Sequence, residues 1–201
     1  MARRAFDLGA AILGLVVLAP VFAAVALAIA SSSPGPVFFR QERVGRDGRT
    51  FRIFKFRTMR QDAEARGAQL TVEGDPRITS VGRFLRASKI DELPQLINVV
   101  TGEMALVGPR PEVPRYVALY SAEQRRVLTV RPGITDPASI QYRDENAVLA
   151  AADDPEAAYV HEVMPHKLAI NLEYLHRRTL VTDIGVILST LAKVARREAA
   201  D

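Results

Sequence analysis

Asp91 and Glu92 are adjacent carboxylates within Arg86-Ala87-Ser88-Lys89-Ile90-Asp91-Glu92-Leu93-Pro94-Gln95-Leu96. Proline is favoured in a helix's first turn, so Pro94 sets a helix start nearby and puts both carboxylates at the positive end of its dipole. Two readings stay open. The plainer is a cap, with Ser88 as N-cap and Asp91 three residues on. The other divides labour: one carboxylate attacks phosphorus as a nucleophile while the other holds a divalent cation. Magnesium prefers one or two carboxylates plus substrate phosphates, which suits so sparse a set. Lys55 and Arg86 are the cations that would neutralise a diphosphate.

Two basic turns come next. In Val107-Gly108-Pro109-Arg110-Pro111 the prolines fix the backbone around Arg110, and a rigid guanidinium is a good bidentate phosphate ligand. A solvated arginine in a proline-rich turn is the plain alternative. Arg131-Pro132-Gly133-Ile134-Thr135 is the second such turn. The chain has no cysteine, which excludes a disulfide framework and a Cys-based zinc site. The spacing of His161, His166 and His176 matches no metal-ligand template, so they are read as surface or packing residues.

The elements that position these residues begin with an apolar segment. No charge occurs from Leu8 to Phe39, and Leu8 to Ala30 is long enough, as a helix, to cross a core of about 30 Å. A cleaved signal peptide is a second reading, with Arg3 and Arg4 as its charged start. Yet both flanks are basic. Arg3 and Arg4 precede the segment, and Arg40, Arg43, Arg46, Arg49, Arg52, Lys55, Arg57 and Arg60 come after it. Positive charge marks the cytoplasmic side, so a straight span would push one flank out. Pro20 falls mid-segment and breaks helices. The favoured expectation is a re-entrant helix–break–helix over 1–36, with residues 37–201 as a cytoplasmic catalytic domain lying on the membrane surface.

The body reads as mostly α with a small antiparallel hairpin. Val37 to Arg43 and Thr50 to Thr58 are the strands, turned by Gly45-Arg46-Asp47-Gly48. Aromatics alternating with cations in the second strand suit a headgroup zone. They would also suit single-stranded nucleic acid, which the neighbouring apolar segment disfavours. Helices are expected at Gln61 to Gln69, Ser80 to Ala87, Pro94 to Val100, Glu112 to Val130 and Thr182 to Arg197. Residues 144 to 178 are expected mainly helical, broken near Pro155 and Pro165. The last helix carries Ile184, Ile187, Leu188, Leu191 and Val194 on one side, facing the core or lying as an interfacial amphipathic helix. The 201 residues suffice for one domain plus an anchor.

Asp-Glu-Leu-Pro-Gln-Leu at 91–96, Val-Gly-Pro-Arg-Pro at 107–111, Lys-Phe-Arg-Thr-Met at 55–59 and Arg-Pro-Gly-Ile-Thr at 131–135 resemble, in order and spacing, the bacterial initiating sugar transferases. These are the monotopic phosphoglycosyl transferases. The resemblance covers about Arg3 to Thr135 and, more loosely, the final helix. It implies transfer of a sugar 1-phosphate from a UDP-sugar to polyprenol (undecaprenyl) phosphate, releasing UMP, with Mg2+, at the cytoplasmic face of the bacterial inner membrane. Carried over by position, Asp91 is the nucleophile of a covalent phosphosugar intermediate and Glu92 assists the metal. Lys55, Arg86 and Arg110 hold phosphates, with Arg131 added from the last motif, and Pro20 breaks the membrane helix. The chain departs from the pattern at Ala19 and Ala105, where serine is common. It departs again at Asp136-Pro137-Ala138-Ser139, where Gly-Trp is frequent.

The reading expects a UDP-sugar, polyprenol phosphate and membrane lipid as partners, no nucleic acid, and apolar helices that allow a homodimer. A competing class is a non-catalytic membrane-anchored binding module, its basic stretch on anionic lipid and its carboxylates only capping a helix. The sequence does not name the sugar.

Overall fold

The computed structural model describes residues 2–60, 75–142 and 145–198. The helix expected at Gln61 to Gln69 lies outside them. The apolar run folds as two helices, α1 (Ala2–Val17) and α2 (Ala19–Ser32), bent by 60° at Leu18. Pro20 occupies the first turn of α2, where its missing N–H costs nothing and its ring bars a straight continuation from α1. At about 1.5 Å per residue neither arm reaches the roughly 30 Å of a hydrocarbon core. Among the described residues no single helix is long and apolar enough to cross a membrane.

Both ends of the bent pair are tied to the body. At the entry, Arg4 donates to the carbonyls of Val99 at 2.7 Å and Val100 at 3.2 Å, and Arg3 lies 3.5 Å from the buried Asp183 carboxylate. At the exit, Arg57 donates to the carbonyls of Ser33 at 2.6 Å and Pro34 at 2.9 Å. The basic flanks read from sequence as orientation signals are therefore also clasps.

Strands β1 (Phe38–Val44) and β2 (Thr50–Phe56) form the expected antiparallel hairpin, Phe38 opposite Phe56. Its turn is a 3-10 turn, Arg46–Gly48, with Asp47 left-handed at φ 58°. The aromatics of β2 divide in use. Phe54 lies under the Arg40 guanidinium at 4.0 Å, but Phe56 is 1% exposed and meets Phe22 of α2 at 5.1 Å between ring centres. Phe56 is core, which the headgroup reading of the strand missed.

Beyond it come α3 (Ser80–Ala87), α4 (Gln95–Thr101), β3 (Ala105–Val107), α5 (Pro114–Val117), β4 (Gly133–Thr135) and α6 (Pro137–Gln141). The chain ends with α7 (Glu145–Ala150), α8 (Pro155–Ala158), α9 (Met164–Arg177) and α10 (Leu180–Glu198). β3 and β4 pair in parallel, a second sheet that the sequence reading lacked. Their approach is close: a Cβ on Gly133 would sit 2.1 Å from the Gly108 nitrogen. The long helix expected over Glu112 to Val130 is instead α5 and a 3-10 turn, Gln124–Thr129. Pro165 does not break a helix either; it sits in the first turn of α9, after a π turn over Tyr159–Val163.

Three apolar clusters hold this together. Ala11 of α1 packs with Ile53, Leu96, Val99 and Met104. Ile29 of α2 packs with Phe56 and Leu85. The third joins α5 to α9 through Tyr116, Val117, Tyr159 and Leu168. The apolar stripe of α10 is partly open: Leu188 and Leu191 are 60% exposed and Ile184 38%, while Ile187 and Val194 are half-buried.

Candidate active site

The dyad is delivered by a reversal between two helices. Thr79 caps the start of α3 by accepting from the Gly82 N–H at 2.9 Å. Ser88 closes that helix, its hydroxyl donating to the Phe84 carbonyl at 2.8 Å. Ser88 is thus a C-cap, and the N-capping account of Ser88 and Asp91 is wrong. Lys89 then takes the left-handed conformation (φ 59°, ψ 13°) and starts the 3-10 turn Ile90–Glu92. Such a backbone costs a non-glycine residue about 1–2 kcal/mol and persists only where its surroundings enforce it. Pro94 precedes α4 as its N-cap, close to the predicted helix start.

Asp91 and Glu92 meet opposite surroundings. Asp91 is 6% exposed, and its buried Oδ1 has no hydrogen-bond partner. Burial pushes the Asp91 carboxyl up; the Lys55 charge pulls it down, and neighbouring Glu92 adds to the rise. Glu92 accepts from Lys55 Nζ at 3.0 Å and from Arg110, whose Nη1 reaches Oε2 at 2.9 Å and whose Nη2 binds Oε1. Burial opposes this carboxylate too, yet Arg110 and Lys55 outweigh it and hold Glu92 well below the usual range. Two neighbouring carboxyls driven apart in this way can take different chemical roles.

Of the other predicted cations, Arg86 joins the site and Arg131 does not. Arg86 donates through Nε to the Thr58 hydroxyl at 2.9 Å, and its charge acts on Asp91. Arg131 donates through Nε to the Gly102 carbonyl at 2.7 Å, just past the end of α4. With Arg4 on Val99 and Val100, it serves the orphan carbonyls at that helix terminus, where cations are favoured. The charges that act on Arg131 are Arg46, Arg4 and Asp7.

Sequence reasoning missed Asn98. It is fully buried in α4, accepts from the Phe54 N–H at 2.8 Å, and donates to the Arg52 carbonyl at 3.0 Å and Glu103 at 2.7 Å. It therefore welds β2, which carries Lys55, to the helix just past the dyad. The signal was an amide inside the otherwise apolar Leu96-Ile97-Asn98-Val99-Val100. The Asp136-Pro137 departure is a helix start: Asp136 caps α6, accepting from the Ser139 N–H at 3.0 Å.

For a magnesium ion, Asp91 Oδ1 is a buried oxygen left over, whereas both Glu92 oxygens are engaged by cations. Among the described residues no group of three or more His, Cys, Asp or Glu could hold a metal. The set fits an ion that takes a carboxylate plus substrate phosphates, and not a protein-only cage.

Fold and site together define a helix-rich protein built around an acid–cation centre beside a bent apolar helix pair. Residues 1–197 match the family described as bacterial sugar transferase, and the chain belongs to that family. It is 37% identical over 199 residues to the UDP-glucose:undecaprenyl-phosphate glucose-1-phosphate transferase of Escherichia coli (strain K12), covering 95% of this chain and 39% of that one. It is 36% identical over 195 residues to the UDP-N-acetylgalactosamine-undecaprenyl-phosphate N-acetylgalactosaminephosphotransferase of Aeromonas hydrophila, covering 96% and 43%. It is also 36% identical over 202 residues to the exopolysaccharide production protein PSS of Rhizobium leguminosarum bv. phaseoli, covering 97% and 96%. The chain thus spans less than half of the first two relatives and nearly all of the third.

Proposed function

We propose that this chain transfers a sugar 1-phosphate from a UDP-sugar to undecaprenyl phosphate. An Asp91 oxygen attacks the phosphorus that bears the sugar, the bond to the bridging oxygen breaks, and UMP leaves with the electron pair. An oxygen of the lipid phosphate then attacks the same phosphorus, releasing Asp91 and leaving a lipid diphosphate sugar. Lys55, Arg110 and Arg86 hold the phosphate oxygens and offset the charge that develops on them. Asp91 and Glu92 are the residues that would hold magnesium, which would supply further charge neutralisation on the phosphates. The observation that carries this reading is the unpartnered, buried Asp91 Oδ1 beside a neighbour saturated with cations.

The bent helix pair is read as re-entrant, entering and leaving the cytoplasmic leaflet of the inner membrane. The partly open apolar stripe of α10 and Phe84, 65% exposed on α3, support a body lying on the same surface. There a lipid phosphate and a soluble nucleotide sugar can meet. The three relatives are named for different sugars or for none, so the family leaves the donor open. UMP release by the protein with magnesium, undecaprenyl phosphate and a panel of UDP-sugars, beside Asp91→Asn, tests the reaction. Release should require the lipid phosphate and vanish in the variant; turnover by Asp91→Asn at the ordinary rate would remove the covalent route.

A further inference from the structure

We propose that Arg43, Glu112 and Tyr159 form a partly buried positioning network whose task is to aim Arg110. The proposal rests on reading Arg110 as a phosphate ligand.

The turn that carries Arg110 is anchored by its C-terminal neighbours. The Glu112 carbonyl accepts from the Val44 N–H at 2.8 Å, at the end of β1. Arg43 Nη1 donates to the Pro111 carbonyl at 3.3 Å and to Glu112 Oε1 at 3.1 Å. The same oxygen accepts from the Val113 N–H at 2.8 Å, and Oε2 accepts from the Tyr159 hydroxyl. Arg43 is itself steadied by donating through Nη2 to Gln41 at 2.6 Å. Residues 111–113 are thereby strapped between the hairpin and the π turn, immediately after the guanidinium that grips Glu92.

Ion pairs withdrawn from water contribute little to stability compared with apolar packing, and the half-buried Arg43–Glu112 pair serves instead to fix geometry. Tyr159 is 4% exposed and its ring packs on Tyr116 at 4.9 Å between centres, so the apolar part of this contact would survive loss of the hydroxyl. The chain between Pro109 and Pro111 has little freedom of its own. Its direction is set by where Glu112 is held.

The test uses UDP as probe, with magnesium and the full chain in detergent micelles. Its affinity is measured for wild type, Tyr159→Phe, Arg110→Ala and the double variant, with melting followed for each. Tyr159→Phe should stay folded, melting only a few degrees lower for the one hydrogen bond lost, and bind UDP about tenfold more weakly because Arg110 is no longer aimed. In the Arg110→Ala background the same change should alter affinity less than about twofold, because its effect is routed through Arg110. Glu112→Gln should weaken UDP binding in the same way but also melt lower, because it takes the counter-charge from Arg43. Equal losses in both backgrounds, or unchanged UDP affinity in Tyr159→Phe, would overturn the network while leaving Arg110 its role. UDP binding that Arg110→Ala leaves intact would remove that role, and the network's purpose with it.

Discussion

Arg110 grips both carboxylate oxygens of Glu92, 18 residues before it, and Lys55 takes a place on one of the same oxygens. The two cations proposed to meet a substrate diphosphate are thus both held by one carboxylate. Removing one partner of such a pair usually costs about 3–5 kcal/mol when the other is left alone. Here Lys55 remains, so Arg110→Ala should cost about 2 kcal/mol and Arg110→Lys less, while both lose donor binding because lysine cannot make the fork. Thermal melting beside UDP affinity checks this; a variant that melts as wild type would show that the pair is not coupled to folding.

The same pair sets an acid limb. Glu92 is held below its ordinary value, so the stability it contributes is present above the unfolded value of about 4.3 and is lost as pH falls through the folded one. Asp91 is shifted the other way, so its contribution is present at low pH and is lost as pH rises through its folded value. Glu92→Gln should therefore cost more stability at pH 7 than at about pH 2, where the folded-state carboxylate is being lost. A deficit that is equal at both values would contradict the assignment.

Asn98→Asp keeps size and the Phe54 bond but replaces a donor with a charge facing the Arg52 carbonyl and Glu103. Burying an unpaired charge with two frustrated acceptors should cost about 3 kcal/mol and displace Lys55 along with its strand. Melting and turnover should fall together. Loss of stability with undiminished turnover would separate Asn98 from the site.

Much of this was legible along the chain. The hairpin, α3, α4 and α10 arise from alternation, Thr79 and Pro94 signals and a 3.6-residue apolar stripe, all of them local. The segment Glu112 to Val130 shows where local reading stopped. Tyr116, Val117, Tyr120 and Val127 keep an apolar pattern that passes for one helix, but Ser121 and Gln124 exchange reciprocal bonds at 2.8 and 3.2 Å and start a new turn. That box is visible in the sequence as Ser-x-x-Gln. The β3–β4 pairing and the convergence of Arg110 and Lys55 on Glu92 are long-range contacts with no periodic mark. Arg131 looked like a further phosphate ligand because its motif is basic; only the fold shows it at a helix end.

Lys89 should respond to glycine with opposite signs in stability and activity. Lys89→Gly relieves a left-handed backbone and should raise stability by about 0.5–1 kcal/mol, net of glycine's greater unfolded freedom. It also removes a charge that favours the Asp91 carboxylate, so turnover should fall. A lower melting temperature would show that Lys89 holds the turn by its side chain.

Cysteines placed at Ala2 and Ser33 should label from the same side of sealed vesicles. Arg4 fastens the entry of the bent pair to α4, and Arg57 fastens its exit to β2. Labelling from opposite sides would make the pair a span.

Residues 55 to 58 spend each side chain on a different neighbour: Lys55 on Glu92, Phe56 on Phe22, Arg57 on Ser33 and Pro34, Thr58 on Arg86. Anyone re-engineering this protein inherits a length restriction from that run. Adding or deleting one residue between Thr50 and Thr58 exchanges the two faces of the strand, and all four appointments are missed at once. The turn between Gly45 and Arg49 sets the same register from the other end, so its length is restricted as well.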